Sequence, residues 1–137
     1  MANEKSIKEA KRWLETACED LEIAQILFEN KKFPSACFHA QQSGEKVLKS
    51  LCYYYEKDAW GHSLVKLLDE LRDVGALYEK LFALRKYAMV LDRFYIPTRY
   101  PDGLPDITPM DAFCDSDAQI AIQSAKNFIS VAEVAFK

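Results

Sequence analysis

Four of the five prolines fall between positions 97 and 109, and the four glycines, Gly44, Gly61, Gly75 and Gly103, are widely scattered. Proline removes a backbone donor and clashes with the preceding helical turn, and glycine costs about 1 kcal/mol in a helix interior. On both sides of the proline-rich segment the chain is therefore free to run in long helices. The alternation of apolar and polar residues that a sheet requires is missing. An all-α fold is expected, an up-and-down antiparallel helical bundle of four main helices plus one shorter helix. With 137 residues, half of them hydrophobic, the chain is expected to form one domain over 1–137.

Periodicity places the helices. Ala10, Trp13, Leu14, Ala17, Leu21, Ala24 and Phe28 form one stripe, which predicts a helix over 6–30. Ser6 is the expected N-cap, with Glu9 completing a capping box. A second helix is expected over 34–56, with Pro34 in its first turn. Its stripe runs through Ala40, Gly44, Val47, Leu48, Leu51 and Tyr55. A short third helix starts at His62 or Ser63 and runs to Leu71. A fourth is expected over 76–95 and a last one over 111–136, with Asp111, or Asp115 and Asp117, as its acidic first turn.

The net charge of −3 and pI near 5.4 argue against a nonspecific nucleic-acid coat, which is normally basic. The polar start MANEKSIKEAKRW lacks the apolar core of a signal peptide. No apolar run approaches the roughly 20 residues that span a membrane. A cytoplasmic location without membrane contact is expected. Cys18, Cys37, Cys52 and Cys114 show no CxxC spacing; all four are expected to be reduced core residues. No cofactor and no metal are expected, for there is no GxGxxG, Walker, HExxH or zinc-ligand pattern.

Four groups could carry chemistry. Gln42, Glu45 and Lys49 lie at steps of 3 and 4 on one face of the second helix. The plain alternative is a solvated face with one surface ion pair worth at most ~0.5 kcal/mol. His62 follows Trp60-Gly61 at a helix start, where it is a base, a ligand contact or a cap. His39 reads as an interior or interface histidine. Asp92, Arg93, Tyr95, Thr98, Arg99, Tyr100, Pro101 and Asp102 bring two guanidinium groups and two phenol rings together, suited to phosphate and base. The plain alternative pairs Arg99 with Asp102 or Asp92. Tyr53, Tyr54, Tyr55 and Trp60 cannot all face one core, and a dimer interface would account for them.

The runs FPSACFHAQQSGEKVLKSL, HSLVKLLDEL and DRFYIPTRYPDG resemble HEPN domains (higher-eukaryote and prokaryote nucleotide-binding), with a likeness over about residues 6–135. The resemblance implies a helical bundle, a homodimer, and a role beside a small nucleotidyltransferase, in some cases as a toxin–antitoxin pair. It carries Gln42, Glu45, Lys49, His62, Tyr95, Arg99, Tyr100, Pro101 and Asp102 into a ligand-binding set. The family's ribonucleases have Arg, four to six residues, then His. Neither histidine here has Arg at that spacing: Lys32, Phe33 and Pro34 precede His39, and Tyr55, Glu56 and Lys57 precede His62. The chain is therefore expected to be non-catalytic, binding a nucleotide or a nucleotidyltransferase partner, with RNA less favoured. In that reading Arg99 holds phosphate, Tyr95 or Tyr100 stacks, and Glu45 or Asp102 orients the cations. The alternatives are a metal-independent toxin ribonuclease using His62 with Arg99 or Lys57, and a dimerisation scaffold without a ligand.

Overall fold

The computed structural model describes residues 3–136. The helices are α1 (Glu4–Glu29), α2 (Phe33–Tyr54), α3 (Leu64–Glu70), α4 (Gly75–Ala83), α5 (Arg85–Asp92), α6 (Pro109–Ala112) and α7 (Asp115–Ala135), with a 3-10 turn at Pro101–Gly103. No strand occurs among the described residues.

The central element is α2, packed against α1, α7, α3 and α5. Its pairing with α1 is antiparallel. Ser43 Oγ donates to Ala17 O at 2.8 Å and Ser50 Oγ to Ala10 O at 2.9 Å, so numbers rise along one helix as they fall along the other. Small residues let these helices approach closely. Ala10, Ala17 and Ala24 on α1 and Ala36, Cys37 and Ala40 on α2 are fully buried. The core between α2, α3, α5 and α7 holds Leu48, Leu51, Leu64, Leu91 and Phe128. Gly44 lies at its narrowest point: a Cβ there would stand 2.7 Å from Leu91 Cδ1 and 2.8 Å from Leu64 Cδ2.

Several expectations change. The expected fourth helix is two, because the chain turns at Leu84 (φ −98°, ψ 5°), which ends α4 and begins α5. No Gly or Pro marks the break. Tertiary packing sets it, since α4 leans on α7 and α3 while α5 leans on α3, α7 and α2. The cap of α1 is Asn3, whose side chain accepts from Ser6 N at 2.8 Å, rather than Ser6. The expected last helix is divided into α6 and α7, and Asp111 and Asp117 both complete capping boxes. Of the cysteines only Cys37 and Cys52 are core residues; Cys18 and Cys114 are exposed. Burial pushes the Cys37 and Cys52 thiols up to about 12.

Candidate functional site

Glu45 is the centre of the polar face of α2. It is only 3% exposed, so the solvated-face reading fails. Its Oε2 lies 3.3 Å from Lys49 Nζ and 3.3 Å from His62 Nδ1. Its Oε1 accepts from Gln41 Nε2 at 3.2 Å. Gln41 also donates to His62 O at 3.3 Å and accepts from Gln42 Nε2 at 2.8 Å. Gln42 thus supports Glu45 through Gln41 rather than touching it. A carboxylate so enclosed is stable only because charged and neutral donors surround it. With Nδ1 directed at Glu45, the other imidazole nitrogen, Nε2, has no hydrogen-bond partner among the described residues.

From His62 the site continues through aromatic rings. His62 stacks on Tyr95 with centroids 4.7 Å apart and planes 19° apart. The Arg99 guanidinium carbon stands 4.7 Å from the Tyr95 centroid, 4.2 Å from Phe38 and 5.0 Å from Tyr100. Arg99 Nε donates to Tyr95 O at 2.9 Å. His62 and Arg99 thus both lie against the Tyr95 ring. Among the described residues Arg99 has no carboxylate partner: neither Asp92 nor Asp102 pairs with it. Asp102 lies exposed in the 3-10 turn and is not joined to the cluster by any hydrogen bond or ion pair.

Asp92 has another task. Its Oδ2 accepts from Ser63 Oγ at 2.8 Å and Val65 N at 3.2 Å, and its Oδ1 accepts from Leu64 N at 2.6 Å. The carboxylate at the end of α5 thus caps the start of α3, where backbone donors are unpaired and the helix dipole is positive. It brings His62, just before α3, against Tyr95, just after α5.

A second carboxylate is shared in the same manner. Asp20 of α1, 8% exposed, has Oδ2 2.6 Å from Lys46 Nζ and Oδ1 3.5 Å from His39 Nδ1. Burial works to raise its pKa, but the hydrogen bonds from His39 and Lys46 outweigh it and hold the carboxyl below the ordinary aspartate value. Among the described residues no group of three or more His, Cys, Asp and Glu is placed to hold a metal ion. No described helix is long and apolar enough to cross a membrane.

Four of the residues singled out in the sequence, Glu45, Lys49, His62 and Tyr95, form one connected cluster, with Arg99 attached through Tyr95 and Tyr100 through Arg99. Gln41 and Phe38 were missed, and Asp92, singled out with the Arg99 segment, has a different role from the one expected. Gln41 precedes Glu45 by four and so shares its face, a signal equal to that used for Lys49. Phe38 and the capping role of Asp92 carry no local signal, since their partners are distant in sequence.

Residues 10–135 match the family model described as the HEPN domain. The chain belongs to the HEPN family. The fold agrees with solved HEPN-family relatives. A Thermus thermophilus protein superposes with a TM-score of 0.83 at 36% identity, over 91% of this chain and 96% of that one. A structure described as an archaeal HEPN homologue gives 0.75 at 28% identity, over 93% and 98%. A HEPN domain protein from Thermotoga maritima gives 0.69 at 27% identity, over 90% and 96%. A Methanocaldococcus jannaschii protein whose name marks it as a candidate toxin is 25% identical over 132 residues, 92% of this chain and 87% of its own length.

Proposed function

We propose that this HEPN domain is a non-catalytic binding module whose cluster takes a phosphate-bearing nucleotide, and that it works as a homodimer beside a nucleotidyltransferase partner. The observation that carries the reading is Arg99. Its guanidinium is held by Phe38, Tyr95 and Tyr100 and by the Tyr95 carbonyl, and no described carboxylate neutralises it. A cation fixed without a counter-ion, with nitrogens still free to donate, is pre-organised for a phosphate. Lys49 and His62, both on Glu45, add donors. The toxin name of the Methanocaldococcus jannaschii relative supports a partnership of the toxin–antitoxin type. Calorimetry and thermal shift with nucleotides, with and without magnesium, test the reading. Wild-type protein should bind and gain melting temperature by mass action. Arg99→Ala should lose most of the affinity, and Arg99→Gln, which keeps the packing volume, should lose it too. Unchanged binding in both variants would refute the site.

A second reading has one observation in its favour. A buried carboxylate orients the His62 imidazole, an arrangement suited to a general base for ribonucleotide transesterification. It predicts metal-independent RNA cleavage by purified protein that disappears in His62→Ala. No cleavage by wild-type protein would end it.

A further inference from the structure

The nucleotide reading leaves one question that the geometry answers: where the base goes. Tyr95 is already packed by His62 and Arg99, and Tyr100 by Arg99. Trp60 is different. It is 85% exposed and stacks on no other ring among the described residues. Its backbone is nonetheless fixed. Trp60 N donates to Asp58 Oδ1 at 3.1 Å, and Gly61 follows with φ +96°, a conformation glycine adopts without strain. An indole displayed on an ordered turn loses little entropy when a ring stacks on it.

The indole borders an open groove of about 630 Å³, whose lining includes Lys49, Tyr53, Lys57, Asp58 and His62. Lys49 and His62 also belong to the Glu45 cluster, so groove and cluster are continuous. In the same lining, Tyr53 is backed by Trp13, stacked at 5.5 Å with planes 24° apart. Lys57 is held by Asp73 at 2.7 Å, and Lys49 by Glu45. Each ammonium has three donors and has not spent them all. Asp58, beside Trp60, repels phosphate from that end and leaves it to His62 and Lys49. Beside Trp60 the groove carries Tyr53 and Ala59 together with the charged or polar Lys49, Lys57, Asp58 and His62, an apolar wall with cationic donors suited to a base and its phosphate.

The geometry points to Trp60 as the nucleobase platform of this site, with the base in the Trp60–Tyr53 groove and the phosphate directed toward His62, Lys49 and Arg99. This assignment rests on the nucleotide reading above and adds a subsite to it. Base stacking on an exposed aromatic residue tolerates every base, so the groove selects for a base rather than for one particular base.

The test is calorimetric titration of wild-type, Trp60→Leu and Tyr100→Leu protein with the four nucleoside 5′-monophosphates and with ribose 5-phosphate. Trp60 is exposed, so its replacement spares the core; unchanged melting temperature checks this. The expected result is a loss of about tenfold in monophosphate affinity in Trp60→Leu, no change for ribose 5-phosphate, and little change in Tyr100→Leu. Monophosphate binding unchanged in Trp60→Leu, or lost only in Tyr100→Leu, would overturn the platform and leave the phosphate reading standing. An equal loss for ribose 5-phosphate would also overturn it, because Trp60 would then act on the phosphate. Loss of nucleotidyltransferase capture in Trp60→Leu with monophosphate binding intact would reassign the indole to a protein contact. Wild-type protein that binds none of the five compounds would overturn both readings.

Discussion

Asp92 offers the sharpest test of how the site is assembled. Replacing it with alanine removes three hydrogen bonds to the start of α3. Leu64 is fully buried, so its amide loses a partner that water cannot easily replace, a cost of about 1–3 kcal/mol. Losing an anionic cap at a helix N-terminus costs about 1 kcal/mol more. The exposed part of the Val65 and Ser63 bonds is recovered by water. Asp92→Ala should therefore destabilise the protein by about 3 kcal/mol, a fall of roughly 10 °C in Tm for a chain of this size. Asp92→Asn keeps one acceptor for Leu64 N and should cost about 1 kcal/mol. Urea denaturation supplies the free energies. A cycle with Ser63→Ala should show coupling of about 0.5–1 kcal/mol, since the two side chains are bonded. The site supplies an independent signal: the ring-current shift that Tyr95 imposes on the His62 imidazole should diminish in Asp92→Asn while core methyl resonances hold. An Asp92→Ala variant within about 0.5 kcal/mol of wild type, or additive behaviour with Ser63→Ala, would refute the capping argument.

Two further outcomes follow from the charges and thiols. Because the native Asp20 carboxyl is depressed, the unfolded chain takes up its proton first as pH falls; the stabilisation is present above about pH 4 and lost as pH drops through the lower native value. The stability difference between wild type and Asp20→Asn, followed by urea unfolding against pH, should be greatest near neutrality and shrink below about pH 4; a constant difference would contradict it. In thiol labelling of the native protein, Cys18 and Cys114 should react, while Cys37 and Cys52, buried and pushed up to about 12, should react only on unfolding. Rapid labelling of all four would show that the α2 core opens easily.

Much of the helix content was legible because breakers are so unevenly spaced, and the stripes on α1, α2 and α7 follow directly from period. The break at Leu84 was not, since nothing in Ala83-Leu84-Arg85 disfavours a helix and the turn answers to three neighbouring helices. The spacing of Glu45 and Lys49 was read correctly as an ion pair, yet its burial was invisible, because an i, i+4 pair has the same spacing in water and under a covering loop. His62, 17 positions away, supplies that cover. Asp92 and Arg99 invited pairing by proximity in sequence. The structure gives Asp92 to an amide 28 positions back and surrounds Arg99 with rings instead.

The two shared carboxylates have a consequence for how this protein can change over generations. Asp20 with His39 and Lys46, and Glu45 with His62 and Lys49, each pair one mostly enclosed negative charge with two donors. Losing one donor strands part of the charge, and losing the carboxylate leaves two donors without their shared acceptor, so single replacements are penalised where joint ones are not. Descendants of this chain should therefore exchange positions 20, 39 and 46 as one block and 45, 49 and 62 as another, and co-substitution within each block should exceed that between them.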